Sequence, residues 1–164
     1  MLELYFAESA TYREKLNEII FGKLNAPFTI KRTQNGKPYI EGNPLFFSVS
    51  HSGDTAVIAI SDKPVGVDLE VVRERKYESV LSRFTPRERA EICSFSDFLK
   101  HWVVREAYIK LHGDTLAEML NSLEYTDGVL KDGGKAASCA VQVFDEGDLI
   151  YAVCTAASEK ITII

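Results

Sequence analysis

The sequence has few cysteines, no long apolar run and no excess of positive charge. Its three cysteines, Cys93, Cys139 and Cys154, form no CxxC pair, which argues against a disulfide framework and a structural zinc site. We expect three buried thiols in a reducing compartment, the cytoplasm. The longest uncharged stretch near the C-terminus, residues 136–144, is far shorter than the roughly 18 apolar residues that cross a membrane.

Charge and apolar content indicate a globular protein that binds neither nucleic acid nor membranes. The 164-residue chain has 24 acidic and 19 basic side chains, a formal net charge of −5. No overall positive field favours nucleic acid, although a local basic patch stays open. The N-terminal segment does not resemble a signal peptide, because it contains the charged residues Glu3, Glu8 and Arg13. The hydrophobic fraction of 46% is sufficient for a sizeable core. We therefore expect one soluble cytoplasmic domain over residues 1–164.

Hydrophobic periodicity and turn signals predict two similarly ordered halves, about 1–62 and 63–164. The first half is predicted to contain a strand, then a helix, then hairpins, and a capping box of Thr11 and Glu14 is expected to begin the helix. In the second half a strand precedes helices, and hairpins again follow. This order suggests a ligand cleft where the halves meet.

Local signals give more detailed expectations. Residues 51–54 are expected to form the turn between two strands, and Gly113 is expected to end the longest helix, which reaches His112. A short helix is predicted to end near Leu120. The residues expected to begin helices in this part of the chain are Thr85, Ser96, and Asp114 or Thr115.

Two acidic side chains share one face of a predicted strand over residues 65–70. Strand side chains alternate between faces, so Asp68 and Glu70 point the same way, beside Gly66. Adjacent carboxylates repel, and water, a basic partner or a divalent cation must offset their charge. A strand with a solvated polar face would show the same pattern.

A third carboxylate lies on the longest predicted helix. Trp102, Glu106 and Lys110 recur every four residues on one side, which also fits a plain surface ion pair. If Glu106 converges with Asp68 and Glu70, three hard oxygen ligands without a His/Cys cluster suit Mg²⁺, or Mn²⁺ in its place. Because Mg²⁺ takes its remaining ligands from water and substrate phosphates, this cluster predicts a phosphate-bearing substrate.

Two turn residues are candidates for contacts with phosphate. His51, flanked by Ser50 and Ser52, can donate a hydrogen bond to a phosphate oxygen, as can the backbone amides of such a turn. Lys37 in the Asn-Gly turn is a loop cation. The alternatives are a locally bonded turn histidine and a solvated lysine.

Four motifs together resemble the 4′-phosphopantetheinyl transferase superfamily, Sfp type, in their order and spacing. The resemblance implies an α+β fold, the 4′-phosphopantetheinyl transferase-like fold, with two pseudo-symmetric halves that each contain a helix and antiparallel strands. The motifs are Gly36-Lys37-Pro38, residues 47–52 (FSVSHS), residues 65–70 (VGVDLE) and residues 102–110 (WVVREAYIK).

The resemblance also implies an activity. Members transfer the 4′-phosphopantetheine arm of coenzyme A to a serine of an acyl or peptidyl carrier protein and release adenosine 3′,5′-bisphosphate. Mg²⁺ is expected on Asp68, Glu70 and Glu106, beside the coenzyme A pyrophosphate. Glu106, or a water that it orients, would accept the serine proton, and Lys110 would neutralise charge on the pyrophosphate. The expected catalytic residues are Glu106, Lys110 and Asp68.

The resemblance assigns the phosphates of coenzyme A to His51, Ser50, Lys37, Lys110 and Arg13. The segment before Arg13 is shorter than in typical Sfp-type members, whose basic residues there help to hold the 3′-phosphate. Arg13, Lys31 or Arg32 is expected to take that role. Arg105 replaces the usual lysine before the helical glutamate, and Glu88 matches a family glutamate that the Thr85 capping box explains equally well.

Two other functions stay open. The short N-terminal segment also fits a degenerate, non-catalytic module that binds carrier proteins or nucleotides. The acidic cluster also fits a Mg²⁺-dependent phosphohydrolase. The sequence does not indicate which carrier protein is served, or the oligomeric state.

Overall fold

A computed structural model of the chain describes residues 1–73, 75–113 and 121–164. The short helix predicted to end near Leu120 lies outside these ranges. None of the helices within them combines the length and the apolar content that a bilayer crossing requires.

Each half begins with a strand, continues with one or more helices and ends with a run of strands. The elements of the first half are β1 (Leu2–Glu8), α1 (Tyr12–Leu24), β2 (Ile30–Arg32), β3 (Pro38–Ile40), β4 (Phe46–Ser52) and β5 (Thr55–Ser61). The elements of the second half are β6 (Val65–Val71), α2 (Glu78–Leu81), α3 (Pro86–Glu91), α4 (Phe95–His112), β7 (Leu123–Thr126), β8 (Val129–Asp132), β9 (Lys135–Ala136), β10 (Ala140–Asp145), β11 (Leu149–Thr155) and β12 (Ile161–Ile163). The chain is therefore of the α+β class, as the sequence predicts.

Two main sheets organise these elements. The first has the strand order β12-β1-β5-β4, in which β12 runs parallel to β1 and the other pairs are antiparallel. The second has the order β10-β11-β6, with both pairs antiparallel. The strands β2-β3 and β7-β8-β9 form two small additional sheets.

The apolar side chains show that the two main sheets pack face to face between two helices. On β11, Tyr151 and Val153 face the first sheet, whereas Ile150, Ala152 and Cys154 face α4. On β5, Val57 and Ala59 face the second sheet, and Ile58 and Ile60 face α1. Because both faces of these two strands are buried, their sequences are almost continuously apolar.

Gly66 sets the distance between β6 and α4. A Cβ atom at this position would lie 2.0 Å from the carbonyl oxygen of Ala107 and 2.4 Å from the amide nitrogen of Leu111. Only glycine permits this approach of helix and strand. The same close contact keeps Glu106 and Lys110 of α4 beside Asp68 and Glu70 of β6.

A buried ion pair joins α3, α4 and the start of β7. Glu88 forms the predicted capping box with Thr85, and its oxygens also accept the Arg105 Nη2 donor at 2.6 Å and the Tyr125 amide at 2.9 Å. The Arg105 guanidinium lies over the Phe84 ring, 4.4 Å from its centroid. Glu88 thus caps one helix and binds the neighbouring one.

Three local predictions are wrong. Thr11 does not cap α1 with its side chain, because its backbone (φ −119°, ψ 0°) is not in the extended conformation that capping needs. Ser94 rather than Ser96 begins α4, since its Oγ accepts the Asp97 amide at 3.1 Å. His51 belongs to β4, because Gly53 (φ +56°) and the residue after it suffice for the turn.

The cysteines also differ from expectation. Cys154 is buried, but Cys139 is half-buried and Cys93 is exposed. All three are free thiols. Composition does not distinguish a core thiol from one on a loop.

Candidate functional site

A polar cavity of about 360 Å³ lies where β4, β6 and α4 meet. Strand alternation on β6 and helical spacing on α4 bring the three sequence-predicted carboxylates to its wall. Its lining residues are Val49, Ser50, His51, Asp68, Leu69, Glu70, Trp102, Glu106 and Lys110.

Asp68 is buried at the base of this cavity. Its Oδ1 accepts hydrogen bonds from Lys110 Nζ and from Ser50 Oγ, both at 2.7 Å. Burial raises the pKa of Asp68, and the adjacent Lys110 ammonium and Ser50 hydroxyl oppose that shift. The ammonium also lies 3.4 Å from the Val49 carbonyl oxygen, so it links α4 to both strands.

Glu70 occupies the outer side of the same face. Its Oε2 accepts a hydrogen bond from Ser52 Oγ at 2.8 Å, and its Oε1 lies 3.2 Å from Arg75 Nη2. Arg75 is exposed, so this ion pair is screened by solvent and exchangeable. Neither Ser52 nor Arg75 is among the site residues that the sequence predicts.

Glu106 projects from α4 between Trp102 and Lys110, one turn away on either side. The described residues give its carboxylate no hydrogen-bond donor. Burial, followed by the negative charge of Asp68, raises the pKa of Glu106 to about 7, while Lys110 opposes the shift. A carboxyl group with such a pKa can exchange protons near neutral pH.

The three carboxylates share a cavity without forming a ready metal site. In the ranges that the structure covers, no three His, Cys, Asp or Glu side chains are grouped closely enough to hold an ion as they stand. The oxygens of Asp68 and Glu70 instead bind Ser50, Ser52 and the two cations. The donor set itself is all carboxylate, which fits Mg²⁺ or Mn²⁺.

A larger cavity of about 510 Å³, the basic cavity, adjoins the polar cavity that contains the three carboxylates, the acidic cavity. The two cavities share Val49, His51 and Lys110. Its lining residues from the described part of the chain include no carboxylate. The basic side chains that line it are Arg13, Arg32, Lys37, His51 and Lys110. The cavity therefore suits an anionic ligand.

The structure places the predicted anion-binding residues unevenly around this larger cavity. His51 stacks on Tyr12 at a centroid distance of 5.4 Å. The Lys37 ammonium donates to the Leu111 carbonyl oxygen at 2.5 Å, near the C-terminal end of α4. Arg13 and Arg32 both line the cavity, whereas Lys31 pairs with Glu41 and is not among the lining residues.

Ser48 and Ser52 form a serine ladder with the predicted site residue Ser50, and neither of the two is itself a predicted site residue. Ser48, Ser50 and Ser52 alternate along β4, and each hydroxyl is hydrogen-bonded to β6. The signal was the Ser-x-Ser-x-Ser spacing, which the assignment of residues 51–54 to a turn obscured.

Residues 64–154 match a sequence model described as the 4′-phosphopantetheinyl transferase superfamily. The chain is 36% identical over 155 residues to the 4′-phosphopantetheinyl transferase psf-1 of Bacillus pumilus, covering 79% of this chain and 63% of that protein. It is 30% identical over 137 residues to a Bacillus subtilis 4′-phosphopantetheinyl transferase, covering 74% and 60%. The chain spans less than two thirds of the length of these curated relatives.

Proposed function

Since the chain belongs to the 4′-phosphopantetheinyl transferase superfamily, we propose that it is a holo-[carrier protein] synthase. It would transfer the 4′-phosphopantetheine moiety of coenzyme A to a serine of an acyl or peptidyl carrier protein and release adenosine 3′,5′-bisphosphate. The observation that carries this proposal is the junction of a basic cavity with an acidic one at His51 and Lys110.

The basic cavity fits the phosphates of coenzyme A. Arg13, Arg32 and Lys37 line this cavity and would contact the anionic nucleotide end. His51 and Lys110 line both cavities and would contact the pyrophosphate. The stacked Tyr12 ring limits the rotation of His51. Ser50 lines only the acidic cavity, where it orients Asp68, so we assign it a supporting role.

The acidic cavity fits proton removal from the carrier serine. A serine hydroxyl is a poor nucleophile until its proton has an acceptor. Glu106 lines the cavity without a hydrogen bond from the described residues, so it is our candidate for the acceptor, either directly or through a water that it orients. Lys110, held by Asp68, would stabilise negative charge on the leaving bisphosphate.

We assign Mg²⁺, with Mn²⁺ as a substitute, to Asp68, Glu70 and Glu106. The support is the all-carboxylate donor set in one cavity. Burial and then the negative charge of Asp68 raise the pKa of Glu106, and a bound cation would offset both effects. The ion would supply positive charge that neutralises the pyrophosphate. Glu70 would need to exchange Arg75, and Asp68 would keep Lys110 as a second partner.

We further propose that residues 1–164 form one cytoplasmic domain with pseudo-symmetric halves, about 1–62 and 63–164. The support is a strand order that both halves share. In each half the first strand pairs with the last long strand, and that last long strand also pairs with the strand that precedes it in sequence. That order is β1-β5-β4 in one half and β6-β11-β10 in the other. Along the chain, each half also carries its main helix and a small additional sheet between these strands, β2-β3 in one half and β7-β8-β9 in the other.

The transfer reaction itself tests the proposed function. The protein is incubated with coenzyme A, Mg²⁺ and an apo carrier protein, and the carrier is weighed by mass spectrometry. We expect a mass increase of one phosphopantetheine group. If carriers from fatty-acid, polyketide and peptide synthesis all remain unmodified, that result would contradict the proposal. Phosphate release from coenzyme A without a carrier would favour the phosphohydrolase.

Glu106→Gln should lower the transfer rate by about 100-fold, since it removes the proton acceptor but keeps the side-chain volume. The measurement is the initial rate of carrier modification at saturating coenzyme A. Glu18→Gln, an exposed change on α1, is the matched control. Equal rates for both variants would exclude Glu106 as the proton acceptor.

Mg²⁺ should raise the thermal midpoint more at pH 8 than at pH 5.5. Because the pKa of Glu106 is about 7 rather than 4.5, its ionisation disfavours the metal-free fold as pH rises through that interval. Ionised carboxylates are also the form that binds metal. Thermal unfolding with and without Mg²⁺ at both pH values measures this, and a shift independent of pH would contradict it.

A further inference from the structure

We propose that Ser52 is a positioning residue that holds the Glu70 carboxylate toward the acidic cavity in readiness for a divalent cation. The inference rests on the proposed function, because it takes Glu70 as a metal ligand. Ser52 itself does not line the cavity, so it would act only through Glu70.

The serine ladder bridges two strands that no backbone ladder joins. β4 ends one main sheet and β6 ends the other, and the two belong to separate sheets. Alternation along β4 turns every second side chain to the same face, and serine occupies the last three of these four positions, after Phe46. Polar side chains thus replace the missing strand pairing at the edge of the cavity.

Ser52 makes two contacts that fix the direction of its hydroxyl. Its Oγ accepts the Val71 amide at 3.2 Å and donates its single proton to Glu70 Oε2 at 2.8 Å. Ser48 provides a contrast within the ladder. Its Oγ accepts the Val67 amide at 3.1 Å, and no carboxylate contact accompanies it in the described structure. The ladder therefore contains one purely connecting serine, Ser48, and two that donate to a carboxylate, Ser50 to Asp68 and Ser52 to Glu70.

The two oxygens of Glu70 differ in how readily their partners exchange with solvent or an ion. Ser52 is half-buried and belongs to a strand, whereas Arg75 has 60% of its side chain exposed. An exposed ion pair contributes little and exchanges readily. Oε1 is consequently the oxygen that can leave its partner for an ion, while Ser52 keeps Oε2 in place. Groups that orient a metal ligand in this way typically change metal affinity 10- to 100-fold.

Mn²⁺ binding, followed by loss of the free-ion electron paramagnetic resonance signal, tests the proposal without a turnover assay. Wild type is compared with Ser52→Ala, Ser52→Thr and Ser48→Ala, using the full chain and Mn²⁺ alone. Ser52→Ala should weaken Mn²⁺ binding about tenfold. Ser52→Thr keeps the hydroxyl and should restore most of the affinity. Ser48→Ala should retain wild-type affinity, although it also removes a β4–β6 hydrogen bond.

Each result is decisive when thermal midpoints are recorded alongside. Equal Mn²⁺ affinity for Ser52→Ala and wild type would overturn the positioning role and leave the proposed metal site intact. Equal weakening in Ser48→Ala and Ser52→Ala would assign the effect to loss of the β4–β6 connection and would also overturn it. If wild type itself binds no Mn²⁺, the metal assignment and this inference fall together.

Discussion

Gly66→Ala is expected to destabilise the protein by about 3 kcal/mol or more, at the upper end of the range for overpacked cores. The added methyl group would collide with two backbone groups of α4, and backbone cannot rotate away as a side chain can. The helix must move off β6, and Glu106 and Lys110 move with it. Because a displacement of about 1 Å can lower a rate 100-fold, the rate of the proposed transfer reaction should fall steeply even in the folded fraction.

Gly22→Ala is the matched control for this substitution. Gly22 lies in α1, where an added Cβ atom meets nothing within 4 Å. Alanine there should stabilise the helix by about 0.5–1 kcal/mol. Urea unfolding of both variants, with carrier modification measured in parallel, gives the comparison. A Gly66→Ala protein of wild-type stability and rate would show that the helix–strand distance is not critical.

Arg105→Leu is expected to destabilise the protein by about 3–5 kcal/mol, because it leaves the Glu88 carboxylate buried without its cation. Glu88→Gln in the same chain removes that charge and keeps one oxygen, which can accept either the Thr85 or the Tyr125 amide but not both, because the two amides bind different oxygens of the carboxylate. The double variant should therefore be more stable than Arg105→Leu alone. Urea unfolding measures all three, and a loss below about 1 kcal/mol for Arg105→Leu would contradict the expectation.

The same pair has a defined pH signature. Burial alone would raise the pKa of Glu88, but nearby His101, Arg105 and backbone amides outweigh it and lower the pKa to about 2. A depressed acid pKa contributes stability that is complete above about pH 4.5 and disappears as pH falls toward 2. The difference in unfolding free energy between wild type and Arg105→Leu should shrink over that interval.

Much of the fold can be predicted where local signals and tertiary contacts agree. The bounds of β5 and β11 match their apolar runs, and the Thr85 capping box forms as its spacing indicates. Where they disagree, contacts decide. The Thr11 signal fails because the backbone there is not extended, and β12 is missed because three residues carry little pattern.

The candidate site shows a similar division. Period-two and period-four spacing predicts that Asp68 and Glu70 share a face and that Glu106 lies one turn from Lys110. The role of Ser52 depends on a strand of another sheet, which spacing along one strand does not reveal. The contacts of Glu88 with Arg105 and Tyr125 could not be predicted either, because the capping box alone explains a glutamate at this position of the sequence.

The parallel pairing of β12 with β1 has a consequence for how the chain folds. Leu2 lies opposite Ile161, so the first sheet receives its edge strand only after residues 161–163 have been synthesised, far along the chain from β1. Contacts of such long sequence separation slow folding, because the intervening loop must close first. Until β12 pairs with it, β1 is an unprotected sheet edge, and chaperone binding or mispairing can compete with completion of the sheet.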